Sequence, residues 1–117
     1  MIKLVIDGIP PSLNRFAGRG NLWEYRHAKD DWTAMVQWAI KMSRTKETFT
    51  KASVTIRYFF PDRRRRDPDN FCGKFLLDGL TRGGVIVDDD FRHITLTLEG
   101  AVDPKRPRVE IEVRDAL

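Results

Sequence analysis

Residues 54–81 read VTIRYFFPDRRRRDPDNFCGKFLLDGLT, and this stretch passes from a strand through a charged turn into a helix. In residues 54–60, two sets of side chains alternate, which is typical of a strand. One face carries Val54, Ile56, Tyr58 and Phe60, and the other carries Thr55, Arg57 and Phe59. Pro61 has no backbone N–H and ends that strand. The pair Gly83-Gly84 predicts where a helix over about Asn70 to Thr81 stops. The apolar residues expected on its buried face are Phe71, Phe75, Leu76 and Leu80.

The sequence upstream predicts another strand and another helix. Ile2, Leu4 and Ile6 alternate with polar residues or Val5, and residues 10 to about 28 have the breakers of an irregular loop. A helix is expected from about Asp30 to Ser43, with the apolar stripe Trp32, Met35, Val36, Ala39 and Ile40. Trp38 lies off this stripe, so it either packs at a subunit interface or is a partly exposed aromatic.

Two more alternating runs, Ile94/Leu96/Leu98 and Val109/Ile111/Val113, follow near the end of the chain. They are separated by a turn containing Asp103-Pro104, so an antiparallel pair is expected. Together the segments predict one α+β domain over residues 1–117, in the order β-α-β-α-β-β. Its mixed sheet has about four strands, and the two helices pack on one face.

Composition indicates a globular protein with a modest preference for acidic partners. The 117 residues are 41% hydrophobic and 32% charged, with a net charge of +4. The single cysteine, Cys72, excludes a disulfide within the chain and favours a packing role in a reducing cytoplasm. The N-terminal strand is too short and too charged for a signal peptide, and no apolar run reaches the roughly 20 residues of a membrane span.

Carboxylates are concentrated in two short segments near the middle of the chain. Asp67 and Asp69 are two residues apart, so an extended backbone places both on the same side. In Asp88-Asp89-Asp90, at most two side chains can point the same way if the backbone is extended. Mg²⁺ accepts carboxylate and phosphate oxygens in an octahedral shell, so a metal site is one interpretation.

Basic residues border these acids. Arg63, Arg64, Arg65 and Arg66 precede the first pair, and Lys74 lies in the predicted second helix. Beside bound metal ions, such cations can stabilise the charge that develops during phosphodiester hydrolysis. Each element also has an ordinary structural interpretation: the first acids as helix caps, the triple aspartate as a solvated turn, and the arginines as a solvated face.

The series Arg65-Arg66-Asp67-Pro68-Asp69-Asn70, Lys74, Asp78-Gly79-Leu80 and Asp88-Asp89 resembles the RusA-like Holliday junction resolvases of bacteria and their phages. The segment Pro10-Pro11-Ser12-Leu13-Asn14 is similar to the N-terminal signature of that family. The resemblance implies a Mg²⁺-dependent endonuclease, with Mn²⁺ as a substitute, acting as a homodimer on four-way DNA junctions. It also implies a cytoplasmic location, in a bacterial cell or a phage-infected host.

The resemblance also assigns residue roles. It implies that Asp67, Asp69 and Asp89 bind metal, with Asp88 and Asp90 as further candidate ligands. It implies that Lys74 assists catalysis. Lys74 follows Asp69 by five residues, whereas the family's lysine commonly follows its aspartate by four. Counted back from Asp78, however, Lys74 falls at the family's position. One residue inserted near Gly73 would reconcile these two counts.

DNA contacts are expected mainly from basic and amide side chains that reach phosphates. Two other functions remain open: a metal-dependent nuclease for other branched or single-stranded DNA, and a non-catalytic DNA-binding module. His27 and His93 form no metal-ligand pair in the sequence and are expected to be structural or exposed. The DNA-binding candidates are Arg63, Arg64, Arg65, Arg66, Arg15, Asn14 and Asn70, with Arg19, Arg26 and Lys74 as additional cations.

Overall fold

The computed structural model of the protein describes residues 1–18 and 20–116. Within these residues the order of strands and helices is β-α-β-α-β-β, as predicted. Two 3₁₀ turns, Leu13–Phe16 and Pro68–Asn70, lie in the connections. The strands and helices are β1 (Ile2–Asp7), α1 (Leu22–Ser43), β2 (Ala52–Phe60), α2 (Leu77–Arg82), β3 (Ile94–Val102) and β4 (Arg108–Asp115).

The four strands form one mixed sheet in the order β1-β4-β2-β3. β2 pairs parallel with β3 and antiparallel with β4, and β4 pairs antiparallel with β1. The predicted antiparallel pairing of β3 with β4 is therefore wrong. The inner faces explain this order: β2 is buried at every second residue and takes a central place, whereas β3 is buried only at Ile94 and forms an edge. After β3 the chain crosses the end of β2, where the Asp103 N–H donates to the Phe60 carbonyl at 2.8 Å.

Both helices pack on the same face of the sheet, as predicted. The alternate residues of β1, β2 and β4 on this face are buried, and they join Val36 of α1 and Leu80 of α2 in one apolar core. The two helices approach closely at Gly79, where an added Cβ would lie 2.5 Å from the Cβ of Val36. In the described part of the chain no helix covers the opposite face of the sheet, where charged residues pair with one another.

Helix α1 is longer than its apolar stripe predicts. It begins at Leu22 rather than near Asp30, so much of the predicted loop over residues 10–28 is helical or a 3₁₀ turn. The Tyr25 N–H donates to the Asn21 carbonyl at 2.9 Å in the first turn. Tyr25 packs its ring against Phe16 and Phe75, and this contact between distant segments stabilises the additional turns.

Helix α2 is shorter than predicted, since only Leu77–Arg82 is α-helical. The segment before it is a series of turns that passes through Gly73 at φ +86°. A Cβ on Gly73 would lie 2.8 Å from Cδ1 of Ile56, so the backbone here packs directly on the sheet. Phe75 and Leu76 still reach the core, although they precede the helix. None of the described helices is long and apolar enough to cross a membrane.

Candidate metal and DNA-binding site

The first acidic segment leaves the C-terminal end of β2 and folds into a 3₁₀ turn. Asp67 has extended dihedrals and precedes Pro68, and its carbonyl accepts the Asn70 N–H at 3.0 Å. Proline suits this first position because it has no N–H to satisfy. Asp67 lines a small cavity of about 110 Å³ together with Tyr58, Leu98 and Gly100. Asp69 is exposed, so it is open to solvent ions.

The arginine segment is not uniform. Arg66 is largely covered: its guanidinium lies 4.6 Å from the Phe60 ring and 2.8 Å from an Asp62 carboxylate oxygen. Arg65 bonds to Asp67 at 3.1 Å, and Arg64 lies 3.5 Å from Asp62, with both guanidinium groups largely exposed. Arg63 is exposed and makes no ion pair within the described part of the chain. The exposed ion pairs of Arg64 and Arg65 are weak, so these two arginines can exchange their carboxylate partners for phosphate.

The second acidic segment splits into two groups. Asp88, Asp90 and His93 each offer a ligand atom, and these atoms all lie within 4.8 Å of one another. Asp89 is not a member of this group, and partial burial, a hydrogen bond with Asp88 and the negative charge of Asp78 raise the pKa of its carboxyl group. A hydrogen bond from His93 lowers the pKa of Asp90.

His93 and Lys29 are the site neighbours that sequence reasoning missed. His93 was expected to be structural or exposed, but its ring nitrogen bonds the Asp90 carboxylate three residues earlier. The Asp90-to-His93 spacing, which spans a single turn, is the signal that could have indicated it. Lys29 of α1 bonds Asp78 at 3.1 Å, a contact that no local pattern indicates.

Both acidic segments lie along the β3 edge of the sheet. The cavity beside Asp67 is bordered by the second half of β3, at Leu98 and Gly100. The cavity beside Asp89 is bordered by the first half, at Ile94 and Leu96. Among the described residues, Asp67, Asp69 and Asp89 do not form a group of three within the reach of one ion.

Lys74 lies in the turn between the 3₁₀ segment and α2, with its side chain exposed. The backbone at Lys74 is not helical, and it follows Gly73, which has a positive φ of 86°. The direction of the Lys74 side chain is therefore set by this turn and not by helical periodicity. Lys74 lines a crevice with Asn70, Pro10 and Pro11. It also borders an open cavity of about 410 Å³ that Tyr25 lines.

The N-terminal 3₁₀ turn packs against the acidic turn. Leu13 lies in the same crevice as Asn70, and Ser12 caps its turn by accepting the Asn14 N–H at 3.3 Å. Asn14 and Arg15 are exposed beside this contact, whereas Asn70 is half-buried. Arg26 is exposed on α1, and Arg19 lies outside the described residues.

The donor set fits a hard divalent cation. Exposed carboxylates dominate both acidic segments, and oxygen ligands are those that Mg²⁺ and Mn²⁺ prefer. A cation bound at Asp67 would compete with Arg65 for the same carboxylate. Each segment can therefore contribute ligands, and the neighbouring arginines can bind the phosphate of a substrate.

Comparison with known proteins agrees with this combination of acids, arginines and fold. No curated protein matches the sequence closely enough to count as a relative. The family described as Endodeoxyribonuclease RusA matches residues 8–114, which includes both acidic segments, the arginine run and Lys74. The chain therefore belongs to the RusA endodeoxyribonuclease family.

Proposed function

We propose that this protein is a Mg²⁺-dependent endonuclease that resolves four-way DNA junctions by paired nicks during recombination and repair. The observation that carries the proposal is the family match over residues 8–114, together with the exposed acids and arginines along the β3 edge. Mn²⁺ is expected to substitute for Mg²⁺, because both prefer oxygen ligands.

In the proposed mechanism, Asp67, Asp69 and Asp89 would hold the metal once the two acidic segments approach each other around the ion, with Asp88 and Asp90 as further ligands. When bound, the ion would polarise the scissile phosphate and lower the pKa of a bound water. Arg65 exchanges its contact with Asp67 for a phosphate oxygen. Lys74, exposed in the adjoining crevice, stabilises the charge that develops on the leaving oxygen.

DNA binding in this proposal uses two neighbouring surfaces. Arg63 and Arg64 bind phosphates on one side of the acidic turn, and Asn14, Arg15 and Asn70 bind on the other. Arg66 holds the segment in place through Asp62 and the Phe60 ring, in addition to any contact with DNA. A two-fold homodimer would present two such sites to opposite strands of a junction. The protein would act in the cytoplasm of a bacterial cell or of a phage-infected host.

Replacement of Asp69 by asparagine tests the metal-ligand role. We expect Asp69→Asn to abolish cleavage of a synthetic four-way junction in Mg²⁺ and to leave junction binding within about twofold of wild type, because DNA affinity resides mainly in the cations. The measurements are gel-resolved nicking and fluorescence anisotropy. Asp30→Asn, an exposed acid of α1, is the matched control and should cleave normally. Cleavage retained by Asp69→Asn would remove this residue from the site.

The choice of substrate separates the proposal from its alternatives. Symmetric paired nicks in the junction, with little cutting of a flap or a plain duplex, support a resolvase. Equal cutting of every branched or single-stranded substrate would support a broader nuclease. Binding without cleavage in both Mg²⁺ and Mn²⁺ would leave only a DNA-binding module.

The ligands that the second acidic segment contributes need a separate test, because Asp89 lies outside the group formed by Asp88, Asp90 and His93. We expect Asp89→Asn to abolish cleavage and His93→Ala to retain most of it. Cleavage lost in His93→Ala and retained in Asp89→Asn would assign the third ligand position to the group of Asp88, Asp90 and His93.

A further inference from the structure

An open cavity lies beside the first turn of α1 and beside Lys74. Its volume is about 410 Å³, which falls within the range of cavities that hold small organic groups. Lys74 also lines the crevice that contains Asn70 of the acidic turn, so one exposed cation borders both spaces. The cavity therefore adjoins the site of the proposed cleavage.

The walls of this cavity are aromatic and firmly held. Phe16 and Tyr25 both line it, with ring centroids 5.7 Å apart and nearly perpendicular planes. Both rings also contact Phe75, which is buried in the core. Their positions are therefore fixed by the core before any ligand binds, and this lowers the entropic cost of binding.

The charge of the cavity suits a nucleic acid. Among the described residues that line it, the charged side chain is Lys74, and none is a carboxylate. Arg15 is exposed in the 3₁₀ turn that carries Phe16, and Arg26 is exposed on α1, one turn after Leu22 of the cavity wall. An aromatic cavity bordered by cations fits a nucleobase, because the base packs on the rings while neighbouring phosphates pair with the cations.

We propose that this cavity binds one unstacked nucleobase of the DNA, from the nucleotide beside the phosphate that Lys74 contacts. The base packs against Phe16 and Tyr25. Leu22 covers it from the solvent side, and Asn21 offers an amide to its polar edge. Bases at a branch point or in a single strand suit this site best, because they lose little stacking energy on entering it.

Two single-stranded probes separate base binding from phosphate binding. One is a labelled thymidine oligonucleotide, and the other is abasic throughout but has the same number of phosphates. We expect the wild-type protein to bind the thymidine probe at least about tenfold more tightly in EDTA, measured by fluorescence anisotropy, because a stacked base contributes to affinity on this scale. Equal affinity for the two probes would overturn the base site.

Substitutions in the cavity have matched controls. Tyr25→Leu removes an aromatic face and should reduce the preference for the thymidine probe to less than about threefold, whereas Tyr25→Phe should keep it. Leu22→Ala should weaken binding of the thymidine probe only. Met42→Ala, on the same helix and 62% exposed against 60% for Leu22, should leave both affinities unchanged. Thermal unfolding checks that each variant folds, and a full preference in Tyr25→Leu or in Leu22→Ala would overturn the proposal.

Photochemical cross-linking locates the base. Iodouracil, placed in turn at each crossover position of a four-way junction in EDTA, should cross-link to Phe16 or Tyr25, identified by mass spectrometry. Trp23, Trp38 and Phe91 are more exposed aromatic residues that do not line the cavity, so cross-links confined to them would contradict the proposed position.

The base site rests on the proposed function, but its tests fail separately from the nuclease, because they are made without cleavage. A protein that cuts junctions and shows no preference for the thymidine probe overturns the base site. A protein that shows this preference and cuts nothing overturns the nuclease.

Discussion

Glu110 is an acid held on the open face of the sheet. Its side chain is 10% exposed and bonds Arg108 at 2.8 Å and Lys3 at 3.2 Å. Burial alone would raise the pKa of this carboxyl group, but the hydrogen bonds from Arg108 and Lys3 outweigh it, so the pKa is lowered. The ionised form therefore stabilises the folded state above the unfolded pKa of about 4.3, and this stabilisation is lost as the pH falls through the folded pKa.

We expect Glu110→Gln to lower the free energy of unfolding by about 1–2 kcal/mol at pH 7, since it removes a charge-assisted hydrogen bond. The difference from wild type should shrink as the pH is lowered through the acid range, where the wild-type carboxylate becomes protonated. Urea unfolding at several pH values measures this. Glu99→Gln removes a more exposed partner of Arg57 and should change stability by less than about 1 kcal/mol. An equal loss at every pH would show that the charge of Glu110 contributes nothing.

Among the elements, α1 and α2 are held at a distance set by Gly79. An added methyl group there would lie 2.5 Å from the Cβ of Val36, which is fully buried. We expect Gly79→Ala to lower the free energy of unfolding by about 1–3 kcal/mol through overpacking, measured by thermal unfolding. Gly100→Ala is the control, because its added Cβ would meet Phe60 at an ordinary 3.5 Å. Equal stability of both variants would show that α2 can move away from α1 at no energetic cost.

The arginine segment is the element on which the salt dependence of DNA binding should depend. Arg64 and Arg65 have side chains that are 83% and 89% exposed. We expect replacement of both by alanine to weaken junction binding and to reduce the slope of log K against log salt by about 1–2, since fewer counterions are released. Arg44→Ala, at the C-cap that follows α1, is the control for loss of an exposed cation. An unchanged slope in the double variant would indicate that this segment is only a solvated face.

For the whole molecule, a metal that binds only the folded state must raise its melting temperature. We expect millimolar Mg²⁺ to increase the Tm of the wild-type protein, and EDTA to reverse the increase. The shift should be lost in Asp69→Asn and kept in Asp30→Asn. Differential scanning calorimetry without DNA measures this apart from cleavage. A shift unaffected by Asp69→Asn would place the ion elsewhere.

The sequence predicted the local features of the molecule well. Strand β1 and the buried faces of β2 and β4 follow from alternation, because successive side chains of a strand point to opposite faces whatever lies beside it. The two acidic segments and the arginine segment could also be identified from the sequence, because their residues lie within a short span of chain. These features depend on neighbours in sequence, so the one-dimensional pattern was sufficient.

The tertiary structure decided what depends on distant partners. The place of β4 between β1 and β2, the early start of α1 at Leu22 and the bond from Lys29 to Asp78 join segments far apart in sequence. Helix α2 begins only at Leu77, because the chain before it passes through Gly73 at a positive φ, where its backbone packs on Ile56 of β2. The grouping of Asp88 and Asp90 with His93, without Asp89, likewise appears only in the folded loop. Composition and periodicity describe which side chains a segment buries, whereas strand order and site geometry follow from which segments compete for the same apolar surface.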